Sequence, residues 1–210
     1  MHCPTSRNWP KSDLARGKLA FNSKKAGKKP RHFFSRVEFY KMIISYDYSS
    51  AITKQDEKKL KIRLESIFNT GKFDKSTPPF QTHGDLYKYP ESDIFIKTFI
   101  DACSKYQEQS LQYRDLMMWC YMDYRRNYDR VKKLTGKGFH KHSDNQSRYN
   151  QLSGVYYLVN PRNESTIFKD RESPKARPFS WFIYPSFLEH RPPDIKSFRR
   201  RYTLAAEIFY

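Results

Sequence analysis

Apolar residues recur at helical spacing in two segments of the first half of the chain. Residues 54–69 carry one such stripe, and Gly71 stands where the C-terminal cap of a helix is expected. Residues 92–107 carry a second stripe, and Ser92 is a residue type that caps helix starts. The two stripes consist of Leu60, Leu64, Ile67 and Phe68, and of Phe95, Phe99, Ile100, Cys103 and Tyr106. The pattern predicts two amphipathic helices that brace a sheet.

Beyond residue 110 the pattern changes to short apolar runs that lack a helical period and are separated by turn-rich gaps. An aromatic stretch from Phe33 to Tyr48 predicts a further strand pairing ahead of the helices. Short strands at such spacing are typical of a β-sandwich or a jelly roll. The runs are Leu116–Met122, Leu152–Val159, Thr166–Phe168, Trp181–Tyr184 and Tyr202–Phe209.

Composition divides the chain into an arm and a single domain. Residues 1–32 are rich in Lys, Ser, Gly and Pro with little periodicity, which predicts a disordered arm. At 210 residues the chain is long enough for one domain with a core and too short for two, and we expect that single domain over residues 33–210. We expect helical support over residues 50–110 and the β core over about 112–210. The aromatic content of 17% suits a β-rich core.

Positive charge is concentrated in the arm and the few residues that follow it. The chain carries a net charge of +18, and residues 1–36 contribute ten Lys or Arg against one acid, Asp13, or 10 − 1 = +9. Such a field attracts polyanions, nucleic acid among them. The alternative is a solvated arm without a specific partner.

The sequence also indicates a compartment. Three cysteines, Cys3, Cys103 and Cys120, form no C-x-x-C pair, which favours a reducing environment. No apolar run reaches the length of a membrane span, and the polar start does not resemble a signal peptide. The expectation is a soluble intracellular protein, cytoplasmic or nuclear, with no membrane partner.

Metal-binding residue types cluster in the segment Phe139–Asn145, which reads F-H-K-H-S-D-N. In an extended strand His140, His142 and Asp144 project to one side, because residues two apart share a face. Two imidazoles and one carboxylate on one face of an octahedron form the non-haem Fe(II) oxygenase site. A further ligand must come from elsewhere in the chain, and His190, 48 positions after His142, follows an apolar strand.

Four elements in order extend this pattern over residues 136–210. H-x-D-N at His142 leads into a strand reading V-Y-Y-L, and Pro185-Ser186 precedes His190 in a Pro-Ser-x-x-x-His element. Arg201 then stands beside Tyr and ahead of a small hydroxyl residue on the last strand. This final third of the chain resembles the iron-binding core of the prolyl-hydroxylase-like branch of the 2-oxoglutarate/Fe(II)-dependent oxygenases.

The resemblance implies an α+β fold, with a double-stranded β-helix (jelly-roll) core behind N-terminal supporting helices. It also implies the cofactors, namely Fe(II), the cosubstrate 2-oxoglutarate and O2, and no catalytic residue beyond the metal site. Fe(II) would be bound by His142, Asp144 and His190. The distal carboxylate of 2-oxoglutarate would be bound by Arg201, Tyr157 and Thr203. His140 could replace Asp144, because some relatives read H-x-H ahead of the strand.

For the reaction, the resemblance implies a dioxygenase that hydroxylates a side chain, most commonly of a protein or peptide. The basic arm favours a second hypothesis, an oxygenase acting on nucleic acid. Nucleic-acid demethylases of this superfamily usually carry a second Arg six positions after the first, where this chain has Glu207. A third hypothesis is a non-catalytic, basic nucleic-acid-binding protein on the same fold.

Overall fold

The computed structural model describes residues 43–71, 81–123, 139–142, 151–193 and 196–210. The predicted arm, residues 1–32, lies outside the described residues, as do Asp144 and Asn145. The proposed boundary between arm and domain therefore stays a prediction.

Two helices form where the apolar stripes predict them. Helix α1, Lys54–Asn69, begins with a capping box between Thr53 and Asp56, and Gly71 follows its end with a φ of 70°. Helix α2 spans Asp93–Tyr106. The role predicted for Ser92 is wrong. Its hydroxyl donates to the carbonyls of Leu86 and Tyr89 and does not cap the helix, because Ser92 ends a 3-10 turn that the sequence did not predict.

The strands of the described residues are β1 Ile44–Asp47, β2 Asp115–Asp123, β3 Gln151–Val159, β4 Ile167–Phe168, β5 Ser180–Pro185, β6 His190–Arg191 and β7 Arg201–Phe209. They form two antiparallel sheets. The larger has five strands in the order β1-β5-β3-β7-β2, and β4 pairs with β6 in a two-stranded sheet. The fold thus combines helices with antiparallel sheets. Only β6 was not predicted, because its two polar residues belong to no apolar run.

One face of the five-stranded sheet packs on the helices. The indole of Trp181 donates to Thr98 on α2 (3.1 Å), and Tyr156 donates to Glu57 on α1 (2.7 Å). Because strand residues alternate between faces, Tyr157 points to the opposite side. A second apolar cluster covers that side and consists of Val155, Tyr157, Phe168, Phe182, Tyr184 and Leu188. No helix among the described residues is long and apolar enough to cross a membrane.

Candidate metal centre

Backbone pairing brings the two histidine segments together. The amide N–H of His140 donates to the carbonyl of His190, and the reverse bond is also made, each at 2.9 Å. Two residues further on, the amide of His142 donates to the carbonyl of Ser186, again at 2.9 Å. Residues 140–142 therefore run antiparallel to residues 186–190, which puts His142 and His190 on one side of this ribbon.

Three imidazoles meet at this point. The Nε2 atoms of His142 and His190 are 3.1 Å apart, and His140 offers a third ligand nitrogen, all within 4.8 Å of one another. Two nitrogen ligands at right angles around a metal with bonds of about 2.1 Å would be roughly 3.0 Å apart. The observed separation therefore fits a shared metal ion.

Each of two imidazoles is held through its other nitrogen. Nδ1 of His190 donates to the carbonyl of Leu188 (2.8 Å), and Nδ1 of His142 contacts the carboxylate of Glu207. These contacts place the proton on Nδ1 and leave Nε2 with a free lone pair, which is how metal-binding histidines are usually oriented. The hydroxyl of Tyr184 lies 3.3 Å from Nε2 of His190.

The surroundings keep the imidazoles of His190 and His140 neutral. Burial, reinforced by the neighbouring imidazoles, lowers the pKa of His190 to about 3. His140 is exposed as a residue, but its ring packs against His142 and His190 with centroids 5.1 and 4.6 Å apart. This desolvation lowers the pKa of His140 to about 4. Both rings are thus in the unprotonated form that binds metals at neutral pH.

Two residues, Asp144 and His140, are candidates for the third metal ligand. Asp144, the predicted carboxylate ligand, lies outside the described residues, so its place stays a prediction. His140, the alternative that the H-x-H reading offered, belongs to the described cluster.

A buried cation, Arg201, lies at the start of strand β7. Arg201 is only 2% exposed, and its Nε and Nη1 atoms have no hydrogen-bond partner within the described ranges. The hydroxyl of Thr203, two residues on, is also buried and lacks a partner there. Unused donors on a buried guanidinium and a hydroxyl suit a planar carboxylate. These orphaned atoms therefore fit the predicted 2-oxoglutarate site.

Tyr157 lies beside Arg201, but its hydroxyl already has hydrogen-bond partners. Its ring centre is 5.6 Å from the guanidinium carbon of Arg201. The hydroxyl accepts from the amide of Thr166 (2.7 Å) and donates to the hydroxyl of the same residue (3.1 Å). The predicted bond from Tyr157 to the cosubstrate would require exchange of Thr166 Oγ1 for the carboxylate.

Asp123 brings a negative charge to the same end of the sheet. It is the partner of Arg201 in the ladder between β2 and β7. Burial raises the pKa of Asp123, while the charge of Arg201 acts in the opposite direction. A carboxylate ligand at Arg201 would therefore bind in a setting that already contains one acid.

Glu207 is the site residue whose role the sequence did not reveal. In the sequence it stands only where the second Arg of nucleic-acid demethylases is absent. In the structure it is 3% exposed, accepts a hydrogen bond from Nε2 of Gln151 (2.9 Å) and contacts His142. Alternation along β7 already places Arg201, Thr203 and Glu207 on one face. An acid on the face that already carries Arg201 and Thr203 was the available signal.

Comparison with known proteins identifies solved structures with a similar fold. No family model and no curated protein matches the sequence. Among solved structures, the chain is similar to a viral collagen prolyl hydroxylase from Paramecium bursaria Chlorella virus-1, with a TM-score of 0.53 and 12% identity, over 91% of this chain and 98% of that one.

Two prolyl hydroxylases from cellular organisms are similar to the chain to the same degree. A Pseudomonas putida prolyl-4-hydroxylase matches with a TM-score of 0.51 and 12% identity, over 79% of this chain and 91% of that one. A Trichoplax adhaerens prolyl hydroxylase, in complex with a hypoxia inducible factor oxygen degradation domain peptide fragment, matches at 0.52 and 14%, over 80% and 83%. The resemblance noted for residues 136–210 is confirmed at the level of the fold, which is that of the prolyl-hydroxylase-like 2-oxoglutarate/Fe(II) oxygenases.

Proposed function

We propose that this chain is a 2-oxoglutarate- and O2-dependent Fe(II) dioxygenase that hydroxylates a side chain of a protein or peptide. The observation that carries the proposal is the pair of Nε2 atoms, on His142 and His190, that face each other at 3.1 Å while both Nδ1 atoms are engaged. In this proposal the two antiparallel sheets belong to a double-stranded β-helix core, with α1 and α2 as its support.

His142 and His190 would hold Fe(II), with Asp144 as the third ligand or His140 in its place. Bound there with 2-oxoglutarate and O2, Fe(II) would supply the oxidising power to hydroxylate an unactivated C–H bond. The chain itself binds and orients. Arg201 and Thr203 would bind the distal carboxylate of 2-oxoglutarate, with Tyr157 beside them, and the buried guanidinium fork would fix the direction of that anion.

Aromatic side chains would shield the reaction from water. Trp119 lies 5.8 Å from the ring of His142, and Phe168 lies 5.8 Å from the ring of His190, measured between centroids. Tyr184 stacks edge-on against His190 at 5.1 Å. Exclusion of water strengthens the electrostatic interactions of the metal site and suppresses side reactions.

A peptide substrate has the better support. The three similar structures described above are named as prolyl hydroxylases, and the Trichoplax enzyme is in complex with a peptide fragment. An oxygenase acting on nucleic acid is the alternative, favoured by the basic arm and disfavoured by Glu207 at the position of the second Arg. A non-catalytic basic protein on the same fold would have no need for the histidine cluster together with a buried Arg201.

The proposal is tested without knowing the substrate. Fe(II) and 2-oxoglutarate are added to the metal-free protein in the absence of oxygen, and the visible absorption spectrum is recorded. A weak charge-transfer band should require both additions and vanish in His190→Ala. His83→Ala, which alters an exposed loop histidine, is the matched control and should keep the band. If the folded wild-type protein gives no band, the oxygenase proposal fails, and a non-catalytic binding protein becomes the better account.

A further inference from the structure

Glu207 is a buried acid near the end of strand β7. Its immediate neighbours along β7, Ala206 and Ile208, are buried in the core that faces the helices. Burial of a carboxylate is costly unless hydrogen bonds compensate for the lost water. The side-chain amide of Gln151 donates to one carboxylate oxygen, Oε2, and the other oxygen, Oε1, contacts Nδ1 of His142. The carboxylate is therefore buried despite its desolvation cost, and it contacts the Nδ1 side of a proposed metal ligand.

We propose that Glu207 is a positioning residue of the metal centre. It holds His142 in the tautomer that carries its proton on Nδ1, so that the lone pair of Nε2 points to the metal. It also places a negative charge next to the imidazole, which makes His142 a stronger electron donor. The inference rests on the proposed function in one respect, namely that His142 is a ligand.

The two histidines are supported unequally. His190 donates to a neutral backbone carbonyl, that of Leu188, whereas His142 meets a carboxylate. A hydrogen bond to a charged acceptor is roughly twice as strong as one between neutral groups. Trp119 packs within 5.8 Å of the His142 ring, and the resulting low local dielectric makes the nearby charge more effective. Loss of the hydrogen-bond acceptor at Nδ1 should therefore weaken metal binding by His142 more than metal binding by His190.

The arrangement along β7 separates two opposite charges. Arg201 and Glu207 point to the same face but are six residues apart, about 20 Å along an extended strand. The cation lies at the end proposed for the cosubstrate carboxylate, and the acid lies at the metal end. Because Glu207 supplies a negative charge one imidazole away from the metal, a centre completed by His140 would not lack charge compensation.

Two variants test the proposal. Glu207→Met removes both the charge and the hydrogen-bond acceptor at similar volume, and Glu207→Gln keeps an acceptor oxygen without the charge. Fe(II) affinity is measured without oxygen by competition with a chromophoric chelator. We expect Glu207→Met to weaken Fe(II) binding by about 10- to 100-fold, the usual effect of losing an outer partner of a metal ligand, and Glu207→Gln to weaken it less. Gln151→Met, which removes only the contact to the other carboxylate oxygen, is the matched control and should have a clearly smaller effect.

A second readout needs no metal. Long-range 1H–15N NMR of the metal-free protein, assigned with His142→Gln, reports which imidazole nitrogen carries the proton. In the wild-type protein His142 should be protonated on Nδ1, and Glu207→Met should shift it towards a mixture of tautomers. A purely structural role of Glu207 would change the thermal unfolding temperature but not this tautomer.

The outcomes separate the two proposals. If Glu207→Met folds, binds Fe(II) as the wild type does and leaves the tautomer unchanged, the role of Glu207 is refuted and the oxygenase proposal stands. If the wild-type protein binds no Fe(II), the proposed function fails, and the tautomer of His142 still decides whether Glu207 holds it. Should Glu207→Met not fold, Glu207→Gln decides by the same measurements.

Discussion

Nε2 of His142 and Nε2 of His190 face each other at 3.1 Å although 48 positions separate the two residues in the chain. Their rings are nearly parallel, with an interplanar angle of 18°, and each Nδ1 has its own acceptor. With both protons placed on Nδ1, two lone pairs would meet and repel unless a cation lay between them. The pair is therefore better suited to share a metal than to bond to itself.

The third ligand is decided by comparing two alanine variants in the anaerobic Fe(II) and 2-oxoglutarate spectrum. We expect Asp144→Ala to abolish the visible band, because it removes the carboxylate of the predicted facial triad. His140→Ala should only weaken the band. The opposite pattern, a band that survives Asp144→Ala and is lost in His140→Ala, would assign a centre of three imidazoles.

Arg201 should determine the affinity for 2-oxoglutarate and leave metal binding intact. Arg201→Met removes the charge-assisted hydrogen bonds, worth about 1.5–3 kcal/mol, so the half-saturating 2-oxoglutarate concentration should rise by roughly 10- to 100-fold. Arg201→Lys should not restore it, because an ammonium lacks the planar fork. Titration of the visible band at saturating Fe(II) measures this.

The control for Arg201 comes from the same basic run. Arg199 is exposed, and Arg199→Met removes the same charge while leaving the buried guanidinium of Arg201 in place. If both substitutions weakened 2-oxoglutarate binding equally, the effect would come from general surface charge, and the assignment of Arg201 would be wrong.

The stability of the metal-free protein should fall in acid because of His190. A histidine titrates near 6.5 in the unfolded chain, whereas burial lowers the pKa of His190 to about 3 in the folded protein. Between these values the unfolded chain takes up a proton that the folded protein does not, so the stabilisation present above pH 6.5 is lost as the pH falls towards 3. The expected loss from His190 is about 2 kcal/mol between pH 7.5 and 5.

Urea unfolding of the metal-free protein at the two pH values measures this loss, with His190→Gln as the comparison. The variant lacks the titrating group and should lose correspondingly less stability in acid. An equal loss in both proteins would assign the acid sensitivity to other groups.

Gly154 should tolerate no side chain. A Cβ atom there would lie 2.6 Å from Cε2 of Phe99 and 3.0 Å from Cδ1 of Ile183, and the Phe99 ring is itself packed on Trp181 at 5.0 Å. We expect Gly154→Ala to reduce the free energy of unfolding by about 1–3 kcal/mol, the usual cost of overpacking a core. Chemical denaturation measures the difference.

Gly84 provides the matched control for this substitution. Its added Cβ would meet only Met117, at 3.9 Å, which is an ordinary contact. Gly84→Ala should change the free energy of unfolding by less than about 0.5 kcal/mol. Equal stability of the two alanine variants would contradict the close contact between Phe99 on α2 and Gly154 on β3.

Sequence alone predicted the local structure well. Helix α1 has the predicted bounds and the predicted glycine after its end, because helical spacing and capping are properties of neighbouring residues. Strands β2, β3, β5 and β7 likewise follow from their apolar runs. The role predicted for Ser92 was wrong because its hydroxyl bonds within two 3-10 turns that the sequence did not predict. Serine is favoured both at helix N-caps and in turns, so the residue type alone does not distinguish the two roles.

For the site, the sequence supplied the residue types and their order, and from these the pairing of His142 with His190 was expected. Only the tertiary structure decided that the backbone of His140 pairs with that of His190, that Arg201 is buried with unused donors, and that Glu207 lies behind His142. The reason is physical. Periodicity reports which face a residue occupies on its own strand, whereas a contact across 48 or 65 positions depends on how strands register in a sheet, and no local pattern encodes that register.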